Sequence, residues 1–301
     1  MGTLGRIIVA TDLTNFSVRV VERAAMIAAQ VRSPLSVVHV MDAGSISAME
    51  ALTGAWTTAR KSTALQRAES RLAESLERLR SRYHQLDMDS EVIVGRPHTV
   101  VADMAEARSV ALVVIGAHSN EALRHTMLGT TGARMLRAVR NSILVVRNKS
   151  SEPYRGVLAA MDFSDASVAA MQLAVRIVPG ARLAVLYAIN THFDGLISLF
   201  GTGDEDLAEF WTQARVDALA KIEALVAHLP DHPISVSPEV QKGKPADVIL
   251  QRSRSADVDL VALGRHGPIR GLDVLVGGVA RQIVNRSECD VLVSAVTGYA
   301  S

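Results

Sequence analysis

Two glycine-bracketed segments carry the spacing most suited to chemistry. Gly116-Ala-His-Ser119 is followed, nine residues later, by Gly129-Thr130-Thr131-Gly132. In the second half of the chain Gly264-Arg-His-Gly267 is followed, again after nine residues, by Gly277-Gly278-Val279. Glycine at a strand end and again at a helix start lets backbone N–H groups come close to an anion. A helix opening at Gly129 or Gly277 adds unpaired N–H groups and the positive end of its dipole. A hydroxyl at Thr130 or Thr131 adds a further donor. Together these parts suit a polyphosphate held without the lysine of a P-loop. Asp12 and Asp162 each close the first apolar run of their half and precede Thr14 and Ser164, which suit helix N-caps. For one isolated aspartate, turn chemistry or helix-dipole complementarity is the simpler account. The same aspartate at the same place in both halves favours a ligand role.

Other chemistries fit poorly. There is no Gly-x4-Gly-Lys-Ser/Thr sequence and no Gly-x-Ser-x-Gly elbow. Gly201-Thr-Gly203-Asp-Glu-Asp206 has an acid where a dinucleotide fingerprint needs its third glycine, and it does not follow the first strand. His118 and His266 share one motif position, but no serine or cysteine nucleophile is placed to use them, so they read as loop histidines touching backbone or phosphate. His228 and His232 have metal-like spacing, but Pro230 breaks the helix that would align them. Arg265 and Arg270, with Arg124 and His125, are added candidates for reaching a triphosphate, although surface arginines are usually only solvated. Cys289, the single cysteine, excludes an internal disulfide and a cysteine-based zinc site and reads as a packed small hydrophobe. Trp56 and Trp211 read as packing residues beside loops.

The elements that must position these residues are written twice. Arg6–Asp12 corresponds to Gly156–Asp162, Leu35–Val40 to Leu183–Ala188, Val92–Pro97 to Val240–Pro245, Ala111–Gly116 to Asp259–Gly264, and Ser142–Val146 to Asp290–Ser294. The offset is 150 for the first pair and 148 for the rest, which predicts a first helix two residues shorter in the second copy. The apolar runs are short, β-branched and nearly continuous, as in parallel strands buried on both faces. Helical patterns lie between them. Val20, Val21, Ala24, Ala25, Ile27 and Ala28 form one face of the first. Leu65, Ala68, Leu72, Leu76 and Leu79 mark a longer helix, and Phe210, Ala214, Leu219, Ile222, Leu225 and Val226 mark its counterpart. Each copy therefore reads as five strands alternating with four helices, a doubly wound α/β unit. The domains are expected at 1–150 and 151–301, joined near Arg147–Pro153. Segments 42–58 and 190–205, weakly patterned and glycine-containing, are expected as loops, lids or interaction surfaces.

Composition agrees with two folded domains. The 301 residues are 49% hydrophobic and 21% charged, with 32 basic and 31 acidic side chains and a net charge of +1. These values exclude a wholly disordered chain and argue against a general nucleic-acid binder. No apolar stretch approaches the ~18 residues of a membrane span, and Met1–Arg6 carries no apolar run, so a cytosolic protein without membrane insertion is expected.

The paired Gly-x2-(Gly)-x9-Gly spacing, with an aspartate closing the first strand, resembles the universal stress protein family, and the two copies resemble its tandem members over essentially the whole chain. The resemblance implies two Rossmann-like units, each a five-stranded parallel sheet in order 3-2-1-4-5 with helices on both faces. It implies ATP, with Mg2+ as a companion, in at least one unit, and pairing through the fifth strands 143–146 and 291–294, either within one chain or in a homodimer. Carried over by position, Ala10, Thr11, Asp12 and Val40 would surround adenine, Gly95 with Arg96 and Pro97 would lie near the ribose, and Gly116, His118, Ser119, Gly129, Thr130 and Thr131 would face the phosphates. The second copy offers Ala160, Asp162, Ala188, Gly243, Gly264, His266, Gly267, Gly277, Gly278 and Val279. Each copy departs once. Ser119 stands where the motif has its second glycine, and Gly278 lacks the hydroxyl of the family's Ser/Thr. Losing one neutral donor costs about 1 kcal/mol. The expected function is an ATP-binding stress-response regulator, with no catalytic residue assigned and at most slow hydrolysis. The alternatives are a nucleotide-independent scaffold for partners or small apolar ligands and, last, a slow nucleotide hydrolase or transferase. Charge separates the copies: residues 1–150 carry 19 basic and 13 acidic groups, and the remainder 13 and 18. A polyanion is therefore expected to prefer the first.

Overall fold

A computed structural model describes residues 4–53, 58–118, 128–147, 152–190, 204–229, 235–265 and 276–294. The chain divides into two compact units, the first running to Pro153 and the second beginning at Tyr154.

In the first unit β1 (Ile7–Thr11), α1 (Asn15–Gln30), β2 (Leu35–Asp42), α2 (Ala43–Thr53), α3 (Thr58–Arg82), β3 (Met88–Gly95), α4 (Pro97–Ala107), β4 (Leu112–Gly116), α5 (Thr130–Ala138) and β5 (Ser142–Val146) follow in chain order. The strands are parallel and ordered β3-β2-β1-β4-β5, with Val9 level with Val37 on one side and Val114 on the other. The reversal of strand order therefore falls between β1 and β4, the place where open α/β sheets leave a crevice beyond the strands' carboxyl ends. Ile7, Ile8 and Val9 are fully buried, as are Leu112, Val113 and Val114, so both faces of the central strands are covered. The expected α1 face is buried throughout, and Arg6 ties the sheet's lower edge by donating to Ser36 Oγ (2.8 Å) and pairing with Asp89.

The second unit repeats the plan with β6 (Gly156–Met161), α6 (Asp165–Ile177), β7 (Arg182–Ile189), α7 (Asp204–Ala227), β8 (Val236–Lys242), α8 (Pro245–Ser253), β9 (Leu260–Gly264), α9 (Gly278–Arg286) and β10 (Asp290–Ser294). Its order is β8-β7-β6-β9-β10, again parallel. The first helix is shorter here, 13 residues against 16.

Two sequence expectations change. Residues 43–53 form a helix, not a loop, because the Asp42 carboxylate accepts from the N–H groups of Gly44 and Ser45 and from Ser45 Oγ, which caps α2. Segment 190–205 is helical from Asp204, and residues 191–203 lie outside the described part. On α7, Phe210 is 50% exposed, and Ala218 and Ile222 supply the buried contact instead. Trp211, half-buried, lies under Lys242 of β8, whose Nζ is 4.3 Å from the ring centroid. Trp56 lies outside the described residues.

Candidate functional site

Beyond the carboxyl ends of β1, β2 and β4 lies a cleft of about 1180 Å³. Ala10, Thr11, Asp12, Val40, Gly116, His118, Gly129, Thr130 and Thr131 all line it. Arg96 and Pro97 line it as well, but Gly95 does not, so the β3–α4 turn reaches the cleft through the residues after the glycine. Ser119, Arg124 and His125 lie outside the described residues.

The β1–α1 turn is built from its own side chains. Thr11 Oγ1 donates to Ser17 Oγ (2.9 Å) and accepts from Leu13 N–H (3.1 Å). Asp12 Oδ1 accepts from Thr14 N–H (3.0 Å) and Thr14 Oγ1 (2.6 Å), and Thr14 Oγ1 accepts from Ser17 N–H (3.3 Å), capping α1. This turn holds Leu13 in the left-handed region (φ 60°), a conformation that costs a side-chain-bearing residue about 1 kcal/mol or more. The second unit repeats it: Asp162 Oδ1 accepts from Ser164 N–H and Oγ, Ser164 caps α6, and Phe163 has φ 63°. Both aspartates thus perform turn chemistry, and Asp12 also faces the cleft. His39 Nδ1–H donates to Thr11 O (2.8 Å) and steadies the end of β1 from the neighbouring strand.

Four helix N-termini meet at this cleft, and they fall into two pairs. Those of α1 and α2 are capped by side chains, through Thr14 and Asp42. Those of α4 and α5, after Arg96 and Gly129, have no side-chain cap. Helix α4 opens on Pro97, which has no N–H, and Thr99 N–H donates to Arg96 O, so the N–H groups left for a ligand are that of His98 on α4 and those of Thr130, Thr131 and Gly132 on α5. Arg96 and Arg134 stand on this uncapped side, together with the exposed Thr130 and Thr131. The cleft is therefore polarised, with carboxylates at one wall and N–H groups, hydroxyls and guanidinium groups at the other. Hydrogen bonds from Ser45 chiefly hold the Asp42 carboxyl below its ordinary range, with the charge of Arg134 contributing. Asp42, Ser45, His98 and Arg134 line the cleft without having been singled out in the sequence, because each lies outside the glycine spacing.

The glycines prove to have different reasons. A Cβ on Gly116 would come 3.1 Å from Phe16 and Val20 of α1, and one on Gly264 would come 2.8 Å from the backbone N of Ser167 in α6. At both strand ends glycine thus serves helix-on-sheet packing, beyond any approach to an anion. Gly129 differs: its nearest neighbour would be Ala117 O at 3.5 Å, an ordinary contact, so a Cβ fits there without displacement.

The second unit places Ala160, Asp162 and Ala188 at the matching strand ends, with Gly243 in the turn before α8, Gly264 closing β9, Gly277 as N-cap of α9, and Gly278 and Val279 opening that helix. His266, Gly267 and Arg270 lie outside the described residues. Two features distinguish this end from its counterpart. Phe163 and Tyr187 pack as a tilted ring pair, 4.8 Å between centroids, where the first unit has Leu13 and His39, and Lys221 Nζ lies 5.6 Å from the Phe163 ring. Arg265, at the position of Ala117, is buried, with burial pulling its guanidinium down to about 10. It is thus no solvated arginine. Its backbone bridges Ser294 O and Gly277 N–H, as that of Ala117 bridges Val146 O and Gly129 N–H in the first unit. His228 Nδ1–H donates to Ala224 O, and no group of three metal-binding side chains occurs among the described residues.

Comparison with known proteins decides the family. The profile of the universal stress protein family matches residues 3–147 and again residues 153–295. The chain belongs to the universal stress protein family. A universal stress protein of Synechocystis sp. is 25% identical over 150 residues, covering 46% of this chain and 97% of that protein. One of Methanocaldococcus jannaschii is 24% identical over 152 residues, covering 50% and 86%. A universal stress protein from Archaeoglobus fulgidus shares the fold over both copies, with TM-score 0.69, 16% identity, and coverage of 99% of this chain and 100% of that one. A protein of unknown function from Pseudomonas aeruginosa does so with TM-score 0.63, 18% identity, and coverage of 96% and 92%. The chain is thus a two-copy member of a family named for the stress response. Among its described residues no helix is long and apolar enough to cross a membrane.

Proposed function

We propose that the first unit binds ATP in the cleft beyond β1, β2 and β4, and that occupancy of this cleft tunes a cytoplasmic regulator of the stress response. The polarised cleft carries the reading. The uncapped starts of α4 and α5, with Thr130, Thr131, Arg96 and Arg134, supply what a triphosphate needs, and Ala10 and Val40 with the carboxylate of Asp12 supply an apolar floor and an acceptor for the base and sugar. The space of about 1180 Å³ is at the large end of small-molecule sites and accommodates a nucleotide. When bound, ATP would bring its own charge and a Mg2+ ion held by its phosphates. The residues at the cleft bind and orient; none is placed as an activated nucleophile, and turnover above about 1 per second is not expected. Homodimerisation through the fifth strands belongs to the same reading.

Mass spectrometry of ligand released from the purified, denatured protein should find adenine nucleotide. ATP at about 100 times its Kd should stabilise the chain by about 2.7 kcal/mol in a thermal-shift titration. Gly129→Glu, at a position with room for a side chain, should fold normally and lose the shift through repulsion of phosphate. A shift that survives Gly129→Glu would place the nucleotide elsewhere. No shift and no co-purifying nucleotide would leave the partner-binding scaffold.

A further inference from the structure

The outer faces of α3 and α7 are not used by the cleft, and their charges are opposed. Helix α3 carries seven basic and three acidic residues, and its counterpart α7 carries two and six. On α3 five arginines, Arg60, Arg67, Arg71, Arg78 and Arg82, recur at spacings of seven and four. That rhythm keeps them on one flank of the helix for about 33 Å. All five are exposed, and the buried contact is made by Ala68, Leu72, Leu76 and Leu79. The basic residues off the stripe are paired, Lys61 with Glu50 and Arg80 with Glu77. Among the described residues no carboxylate lies within 4.0 Å of Arg67, Arg71 or Arg78.

On α7 the face opposite Ala218 and Ile222 presents Glu209, Asp217 and Glu223, all exposed, around Val216, itself 53% exposed. No basic group among the described residues lies within 4.0 Å of these three acids, and Asp217 accepts only from Gln213 Nε2. Three acids spread over about 21 Å face outward, a length that spans the ~17 Å from Arg67 to Arg78.

We propose that the arginine stripe of α3 docks against the acidic outer face of α7 in a second copy of this chain. A face with three spaced carboxylates fits better than a nucleic acid, because the exposed Glu74 lies beside the stripe, where a continuous polyanion would place a phosphate. The complementary face, in contrast, is part of the same sequence. Exposed ion pairs are individually weak, so the contact is a salt-sensitive self-association that rising protein concentration would populate. It is independent of the nucleotide cleft, whose residues lie on other elements.

Sedimentation velocity of the full chain tests it. Association should grow with protein concentration at about 50 mM salt and fade at about 500 mM, where the Debye length shrinks to a few ångströms. Any association through backbone pairing would not respond in this way. Arg67→Glu/Arg71→Glu/Arg78→Glu should weaken the salt-sensitive step about tenfold or more, and so should Glu209→Arg/Asp217→Arg/Glu223→Arg. Combining all six changes in one chain should restore it. Circular dichroism should show each variant folded, since every altered side chain is exposed. A mass independent of salt overturns the proposal, as does a six-fold variant that stays dissociated. Salt-dependent capture of labelled duplex DNA by a chain that stays monodisperse at low salt overturns it in favour of a nucleic-acid partner.

Discussion

At Gly264 a methyl group would press on backbone atoms of α6, with Ala166 C at 2.9 Å and Ser167 N at 2.8 Å, whereas at Gly116 it would meet only the side chains of Phe16 and Val20 at 3.1 Å. Side chains yield more readily than helix backbone. Gly264→Ala should therefore cost about 2–3 kcal/mol and Gly116→Ala about 1 kcal/mol, whereas Gly278→Ala, with nothing within 4 Å, should be neutral or slightly stabilising. Urea titration of the three variants measures the order, and equal costs at Gly116 and Gly264 would contradict it. These residues also show how far single positions were legible. The repeated glycine marked the right strand end in both copies, but spacing alone does not separate a glycine needed by an anion from one needed by a helix. Arg265 shows the same limit: its neighbours in sequence are loop-like, and only its burial in the fold shows that it is no solvated surface arginine.

Among the elements, α2 is the one announced by a cap and not by an apolar period. Its sequence, Ala43–Thr53, has no clear apolar stripe, so periodicity offered no reason to read a helix there. The long α3 pattern was readable because burial of one face imposes a period on it, and β2 because burial on both faces of its first half gives a continuous apolar run. Phe210 shows the limit of that rule, since it sits about two turns before Ala218 and well off the face that Ala218 and Ile222 bury. Asp42→Ala should lower the stability of α2 by about 1 kcal/mol, seen as faster amide exchange over 43–53 with little change elsewhere. The contribution has a pH signature. The folded carboxyl titrates below its usual value of 3.8, so the cap is fully present above that value and is lost as the pH falls through the depressed one. Exchange at 43–53 that is unchanged in the variant would mean that tertiary contacts, not the cap, hold the helix.

For the whole molecule, duplication made the fold legible: two copies of each strand in one order left little doubt about element or sequence of elements. What the repeat concealed was divergence. The first copy is the basic one, with an open polarised cleft, and the second is acidic, with a ring pair at its strand ends and a buried arginine where the first has alanine. Calorimetric titration should accordingly give one ATP per chain in the tight phase, and two equivalent sites would refute the division of labour.

Cys289 is the only thiol in the sequence, buried beneath Ser253 and Val258, whose carbonyls its Sγ approaches at 3.1 and 3.3 Å, with burial pushing it up to about 12. The native chain is consequently close to silent toward electrophiles at neutral pH, where so little thiolate exists. That silence belongs to the second copy and ends only when the packing around β10 opens. Oxidative conditions that modify exposed sulfur elsewhere would leave an intact chain unmarked and tag a damaged one, so the sulfur works as a tell-tale for the integrity of one half of the protein.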